Sequence, residues 1–395
     1  MRKIVIIFGT RPEAIKMAPV VLRLKEEAEA FQVKVAVTAQ HRQMLDQVLE
    51  LFNVVPDYDL DLMTPDQDLF DITVRVIKGL KDLLEKERPQ LVLVHGDTTT
   101  TFAAALAAFY LHIPVGHVEA GLRTRDKYRP FPEEINRRLV GSLADYHFAP
   151  TPWARDNLLA EGVPAENIWV TGNTVIDALQ MIATLVARED KTWSDFLTER
   201  YGLTLDSRRL ILVTGHRREN FGPGFRNICL ALRDLVETRP DIHLVYPVHL
   251  NPRVQEPVRD ILVGTRVATQ QAPVSFTLEV AGGGLLSLLP PLDYAPFVYL
   301  MSKSYLVLTD SGGIQEEAPG LGKPVLVMRE VTERPEGLWA NTVKLVGTDR
   351  LEIIRAVREL LDNPASYQAM AQAQNPYGDG QAASRIVQIL AKILD

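Results

Sequence analysis

Short apolar runs alternate with amphipathic stretches along most of the chain. Residues 4–8, 33–38, 91–94 and 114–118 lack the polar alternation of a half-exposed sheet and predict buried parallel strands. Helical spacing fills 18–30, 42–52 and 70–87, and a helix is also expected to begin near Pro12. A second series follows Trp193, with strands over 210–214, 243–248, 306–309 and 324–328. Helices over 225–237, 314–318 and 351–361 separate them. The pattern predicts an α/β chain of doubly wound parallel sheets. Residues 171–200 read as a helical boundary, and 382–394 as an amphipathic helix that packs back across the other domain. Residues 264–289, with Gly282-Gly283-Gly284, read as a hairpin or surface loop, with a functional lid as the alternative.

Composition narrows the classes. A length of 395 residues suits two domains. With 46% hydrophobic and 24% charged residues, disorder and coiled coil are poor fits. A net charge of −7 argues against a nucleic-acid surface and leaves room for a local basic pocket. The single cysteine, Cys229, excludes an intrachain disulfide and a cysteine metal cluster, and cytoplasm is the expected compartment. No signal peptide is expected from the short apolar run before Gly9. His112, Pro114 and Gly116 interrupt the longest apolar stretch, so no membrane span is expected.

The candidate chemistry sits at strand ends, where ligands bind in such sheets. Gly9-Thr10-Arg11-Pro12-Glu13, with Lys16 one turn on, suits an anion at a helix start. Neither this turn nor Gly222-Pro223-Gly224 completes a dinucleotide-binding glycine pattern. In His95-Gly96-Asp97-Thr98-Thr99, Asp97 is either a ligand-facing acid or the cap of the next helix. His117-Val118-Glu119 ends another strand, and Pro132-Glu133-Glu134 opens a helix whose acids are either chemical or merely solvated. Gly215-His216-Arg217-Arg218-Glu219 and Asp310-Ser311-Gly312-Gly313 suit a pyrophosphate, with Glu317 placed for ribose hydroxyls and Arg334 nearby. Asp59-Leu60-Asp61 reads as a solvated acidic loop, and no metal is expected.

Taken together, Gly9–Glu13, His95–Thr99, Val118–Arg123, Phe131–Arg137, Gly215–Glu219 and Asp310–Glu317 resemble the non-hydrolysing UDP-N-acetylglucosamine 2-epimerases, in the family's order over nearly the whole chain. The resemblance implies a GT-B-like fold: two Rossmann-like domains with the active site in the cleft between them. It implies a first domain over 1–172, a UDP-binding domain over 173–375, and a helix over 376–395 returning to the first. It implies interconversion of UDP-N-acetylglucosamine and UDP-N-acetylmannosamine through elimination of UDP to 2-acetamidoglucal and re-addition, for bacterial surface polysaccharides. Cofactors are none, and a homodimer is expected. Asp97, Glu119, Glu133, Arg137 and His216 fall at the catalytic positions. Arg11, Lys16, His216, Phe297, Ser311, Gly312, Gly313, Glu317 and Arg334 fall at substrate-binding ones, with Arg11, Lys16 and His216 expected as cations for the diphosphate. Gln43 and His249 resemble a second, activating UDP-N-acetylglucosamine site. The 264–289 stretch is longer than the family suggests. A GT-B glycosyltransferase, a hydrolysing 2-epimerase and a silent UDP-sugar sensor are the rivals.

Overall fold

The computed structural model describes residues 1–38, 42–62, 67–263, 276–280 and 283–394. It divides into two compact units, Met1–Ala178 with Tyr377–Asp395, and Leu179–Pro376.

In the first unit, β1 (Arg2–Phe8), β2 (Phe31–Val37), β3 (Tyr58–Asp59), β4 (Leu91–His95), β5 (Val115–Val118), β6 (Tyr146–Ala149) and β7 (Ile168–Val170) form one parallel sheet. Its order is β3-β2-β1-β4-β5-β6-β7. The chain therefore changes winding direction between β1 and β4, the switch point at which such sheets bind ligands. The connecting helices are α1 (Arg11–Glu26), α2 (Arg42–Leu51), α3 (Leu69–Glu87), α4 (Thr99–Tyr110), α5 (Glu133–Leu143) and α6 (Pro152–Ala160). Val5, Ile7, Val92 and Val94 pack with Val76, Leu80, Ala104 and Ala108 into a dry core. Helix α1 starts at Arg11, next to the expected Pro12, where Thr10 and Glu13 form a reciprocal capping box with Pro12 in the first turn. It stops at Glu26, and residues 27–30 form a turn.

The division falls within α7 (Thr174–Arg188), which α8 (Asp190–Tyr201) follows. The second sheet comprises β8 (Arg209–Thr214), β9 (Ile242–Pro247), β10 (Phe276–Glu279), β11 (Leu285–Leu289), β12 (Leu306–Thr309), β13 (Val325–Val327) and β14 (Val343–Leu345). Its order is β10-β11-β9-β8-β12-β13-β14, with only β10 antiparallel among these pairings. The switch point lies between β8 and β12. Around the sheet lie α9 (Pro223–Thr238), α10 (Pro252–Pro257), α11 (Tyr294–Lys303), α12 (Gly312–Gly320), α13 (Pro335–Trp339), α14 (Arg350–Asp362) and α15 (Pro364–Ala371). Ile211, Val213, Phe225, Leu232, Leu244, Leu308 and Val357 form its core. The described part of 264–289 contains the β10–β11 hairpin; residues 264–275, 281 and 282 lie outside the described residues. Finally α16 (Ala382–Ile393) belongs to the first unit. The Asp177 carboxylate accepts from Ala382 N–H (3.2 Å) and Ala383 N–H (2.9 Å) at its start.

Among the described residues no helix is long and apolar enough to cross a membrane. Nor do any three His, Cys, Asp or Glu side chains there group to hold a metal ion.

Candidate active site

The loops after β1 and β4 are joined by one buried carboxylate. Glu13 accepts from the N–H groups of Gly9 (3.1 Å) and Thr10 (2.8 Å) and from the hydroxyls of Thr98 (2.8 Å) and Thr101 (2.9 Å). Burial raises its affinity for a proton, and these donors oppose that. Gly9 admits no side chain, because a Cβ would sit 2.1 Å from the Thr38 hydroxyl. Arg11 leaves this turn half-buried and has no ion pair among the described residues.

Beyond β5, Glu119 adopts a φ of 62°, a left-handed conformation that a residue with a Cβ seldom takes. Its Oε2 pairs with the Lys16 ammonium and accepts from Asn173 Nδ2 at 2.8 Å. His95 Nε2 lies 3.8 Å from the same oxygen. The His95 ring is buried and neither of its nitrogens has a hydrogen-bond partner. Burial pushes its pKa down to about 4 and Lys16 adds to this, while Glu119 pulls the other way, so the ring is neutral at neutral pH.

Asp97 is not the cap of α4. Thr98 fills that position, its hydroxyl accepting from Thr101 N–H at 3.1 Å. The Asp97 carboxylate instead pairs with Arg137, and Asn136 Nδ2 donates to the Asp97 carbonyl at 3.0 Å. The neighbouring acids of α5 have opposite fates. Glu134 is fully buried and accepts from the N–H groups of Thr124 (3.0 Å) and Arg125 (3.1 Å), with Arg137 Nη1 at 3.4 Å. It is neither solvated nor available. Glu133 is half-buried, and its Oε2 is buried without a partner.

In the second unit the loops after β8 and β12 meet in the same way. The Thr214 and Thr309 hydroxyls are 2.5 Å apart. Asp310, wholly buried, accepts from His216 N–H at 2.9 Å and Arg217 N–H at 2.9 Å. Ser311 precedes Gly312 and Gly313, which open α12 and turn its first backbone N–H groups outward from the strand end. Arg334 packs on this turn: a Cβ on Gly312 would lie 2.5 Å from its Nη1. The guanidinium is held by Glu316 (2.5 Å) and Glu333 (2.7 Å). Burial alone would raise Glu333, but Arg334 and Arg329 overcome it and hold the carboxyl at about 2. Glu317 is mostly buried and accepts from the Tyr294 hydroxyl at 3.2 Å. Phe297, one turn further along α11, is half-buried.

Of the expected cations, Lys16 pairs with Glu119. Burial lowers the pKa of His216, with Asp310 opposing and Arg217 and His249 assisting, so its ring is neutral at neutral pH. The His249 ring stacks on that of His216, centroids 5.5 Å apart. The side chain of Gln43 lies outside the described residues. The contacts made by His95, Glu134, Asn173 and Asp310 were not foreseen from sequence. Asn173 stands in no motif, while the other three lie inside quoted motifs whose spacing does not reveal which way a side chain turns.

A profile described as UDP-N-acetylglucosamine 2-epimerase matches residues 23–391. The chain belongs to the UDP-N-acetylglucosamine 2-epimerase family. It is 56% identical over 388 residues to the UDP-N-acetylglucosamine 2-epimerase of Escherichia coli (strain K12), covering 98% of each chain. It is 51% identical to that of Campylobacter jejuni, covering 99% of this chain and 98% of the relative. The crystal structure of the Neisseria meningitidis UDP-GlcNAc 2-epimerase bound to UDP-GlcNAc superposes with a TM-score of 0.86 at 50% identity, covering 99% of this chain and 100% of the other. An S. aureus protein solved with UDP gives 0.83 at 47% identity, covering 100% and 97%. Family members of this kind have the GT-B-like two-domain α/β fold, which is the fold class expected from the sequence.

Proposed function

We propose that the protein reversibly epimerises UDP-N-acetylglucosamine at C2 to UDP-N-acetylmannosamine, without hydrolysis. The C2 proton is not adjacent to a carbonyl, so its direct removal is difficult. Elimination avoids this. A carboxylate takes the C2 proton as the C1–O bond breaks, UDP leaves with the bonding pair, and 2-acetamidoglucal remains. UDP then re-adds at C1 while a proton reaches the opposite face of C2. Inversion therefore needs acid–base groups on two faces, and Asp97, Glu119 and Glu133 are the candidates. Arg137 orients Asp97. The first-turn amides of Gly312 and Gly313 and the side chain of Ser311 suit the diphosphate, with Arg11, Lys16 and, once protonated on Nε2, His216 as its cations. Glu317 suits the ribose and Phe297 the uracil, and Arg334 braces the glycine turn.

The observation that carries this reading is Glu119, in a left-handed conformation with its carboxylate on Lys16 and Asn173, in the same unit as the Asp97–Arg137 pair and as Glu133, whose buried Oε2 has no partner. We place the activity in the cytoplasm, in a homodimer supplying surface polysaccharide precursors, with no cofactor. Gln43 and His249 are proposed for activation by a second substrate molecule. Incubation with UDP-N-acetylglucosamine in deuterated water tests the reaction. Intact UDP-sugars of both configurations with deuterium at C2 are expected. Free sugar plus UDP would establish the hydrolysing reaction instead, and absence of turnover would refute epimerisation.

A further inference from the structure

Asp310 is a fully buried carboxylate at the end of β12. All its described contacts reach the loop after β8. His216 N–H donates to both oxygens, at 3.1 Å to Oδ1 and 2.9 Å to Oδ2. Arg217 N–H donates to Oδ2 at 2.9 Å and Asn220 Nδ2 to Oδ2 at 3.2 Å. Asn220 also donates to the Met328 carbonyl at 3.0 Å, tying the loop to the end of β13. The loop is thus clamped where His216 leaves it, and the ring turns back on the same carboxylate: Nδ1 lies 3.4 Å from Oδ1. On the opposite ring edge, Nε2 has no partner among the described residues.

We propose that Asp310 is the positioning residue for His216, holding the ring with its proton on Nδ1 so that His216 meets the nucleotide only through Nε2. This rests on the function proposed above. A carboxylate beside Nδ1 makes the Nδ1–H tautomer the favoured neutral form, as an acid behind an imidazole does wherever it sets that ring's orientation. Any further proton, taken from solvent when a diphosphate binds, then lands on Nε2 and points at the ligand. Adjacency supports this, because β8 and β12 are neighbours and the Ser311-Gly312-Gly313 turn follows Asp310 directly.

The other groups facing His216 do not supply the same control. Arg217, on its own loop, is engaged by Glu333 at 3.5 Å. His249, after β9, lies near-parallel to the His216 ring with centroids 5.5 Å apart, and its Nδ1 accepts from Asn251 N–H at 3.1 Å. Tyr246, on β9, donates to the Gly215 carbonyl at 2.9 Å, and burial pushes its phenol far up, so it stays neutral.

Nitrogen-15 NMR of the imidazole rings tests the proposal, with the His216 signal assigned by its loss in His216→Gln. The full-length protein at pH 7.5 should show His216 protonated on Nδ1. In Asp310→Asn the Nε2–H form should rise to a comparable share, and the pKa of His216 should fall. The limb of the kcat–pH profile that follows His216 should then move to lower pH. The turnover number should drop about 10²-fold, with KM for UDP-N-acetylglucosamine within about threefold. A wild-type ring carrying its proton on Nε2 overturns the proposal, even if Asp310→Asn does not fold. So does a folded Asp310→Asn with unchanged tautomer and pH profile. If wild type turned over no UDP-N-acetylglucosamine, the proposed function would fall, while the spectra would still decide the tautomer.

Discussion

Adjacent glutamates at the start of α5 should respond oppositely to truncation. Glu134→Ala removes the acceptor of two backbone N–H groups and of an arginine that also holds Asp97. Hydrogen bonds to a charged group contribute about 1.5–3 kcal/mol each. Thr124 and Arg125 are not fully buried, so water replaces part of the loss. The lower end for the two backbone bonds gives about 3 kcal/mol. For a domain of 150–250 residues this corresponds to roughly 6–12 °C in melting temperature. Glu133→Ala instead deletes a carboxylate oxygen that has no partner, and should stay within about 2 °C of wild type while losing epimerisation. Differential scanning calorimetry of both variants with UDP-sugar turnover separates the two. Equal melting temperatures for the variants would overturn the structural role of Glu134, and full activity in Glu133→Ala the chemical role of Glu133.

Other outcomes follow from the same geometry. His95, His117, His147 and His243 are buried and held near 4, 3, 4 and 4, chiefly by burial. Below their unfolded value near 6.5 the unfolded chain binds more protons, so stability is lost as pH falls; each ring costs about 1.4 kcal/mol by pH 5.5. Urea midpoints that stay flat from pH 7.5 to 5 would contradict this. Gly312→Ala should weaken UDP binding about tenfold by calorimetric titration, because the paired Arg334 blocks the new methyl. Wild-type affinity with a raised melting temperature would mean that Arg334 yields. Asp97→Asn should retain UDP affinity within about threefold yet lose at least about 10²-fold in turnover, and wild-type rates would remove Asp97 from the mechanism.

Much of the architecture was legible because parallel strands buried on both faces must be apolar throughout. Each such run therefore announced a strand, and the glycines and acids after it announced a ligand-facing end. Strands β6, β7 and β14 were not read from the sequence. Pro12 made the start of α1 legible, whereas its end at Glu26, four residues before the expected one, carries no such marker.

By itself the sequence determined the fold class and the strand ends where charged and glycine-rich turns collect. Local apolarity and turn chemistry suffice for that. Only the tertiary structure decided which groups are charged, paired or spoken for. Lys16 meets Glu119 and His216 meets Asp310 across 103 and 94 residues of chain. Thr98 displaces Asp97 from the helix cap, and Glu134 turns inward while Glu133 does not. The neutrality of His95 and His216 comes from desolvation, which depends on everything packed around a ring and on nothing in its immediate sequence.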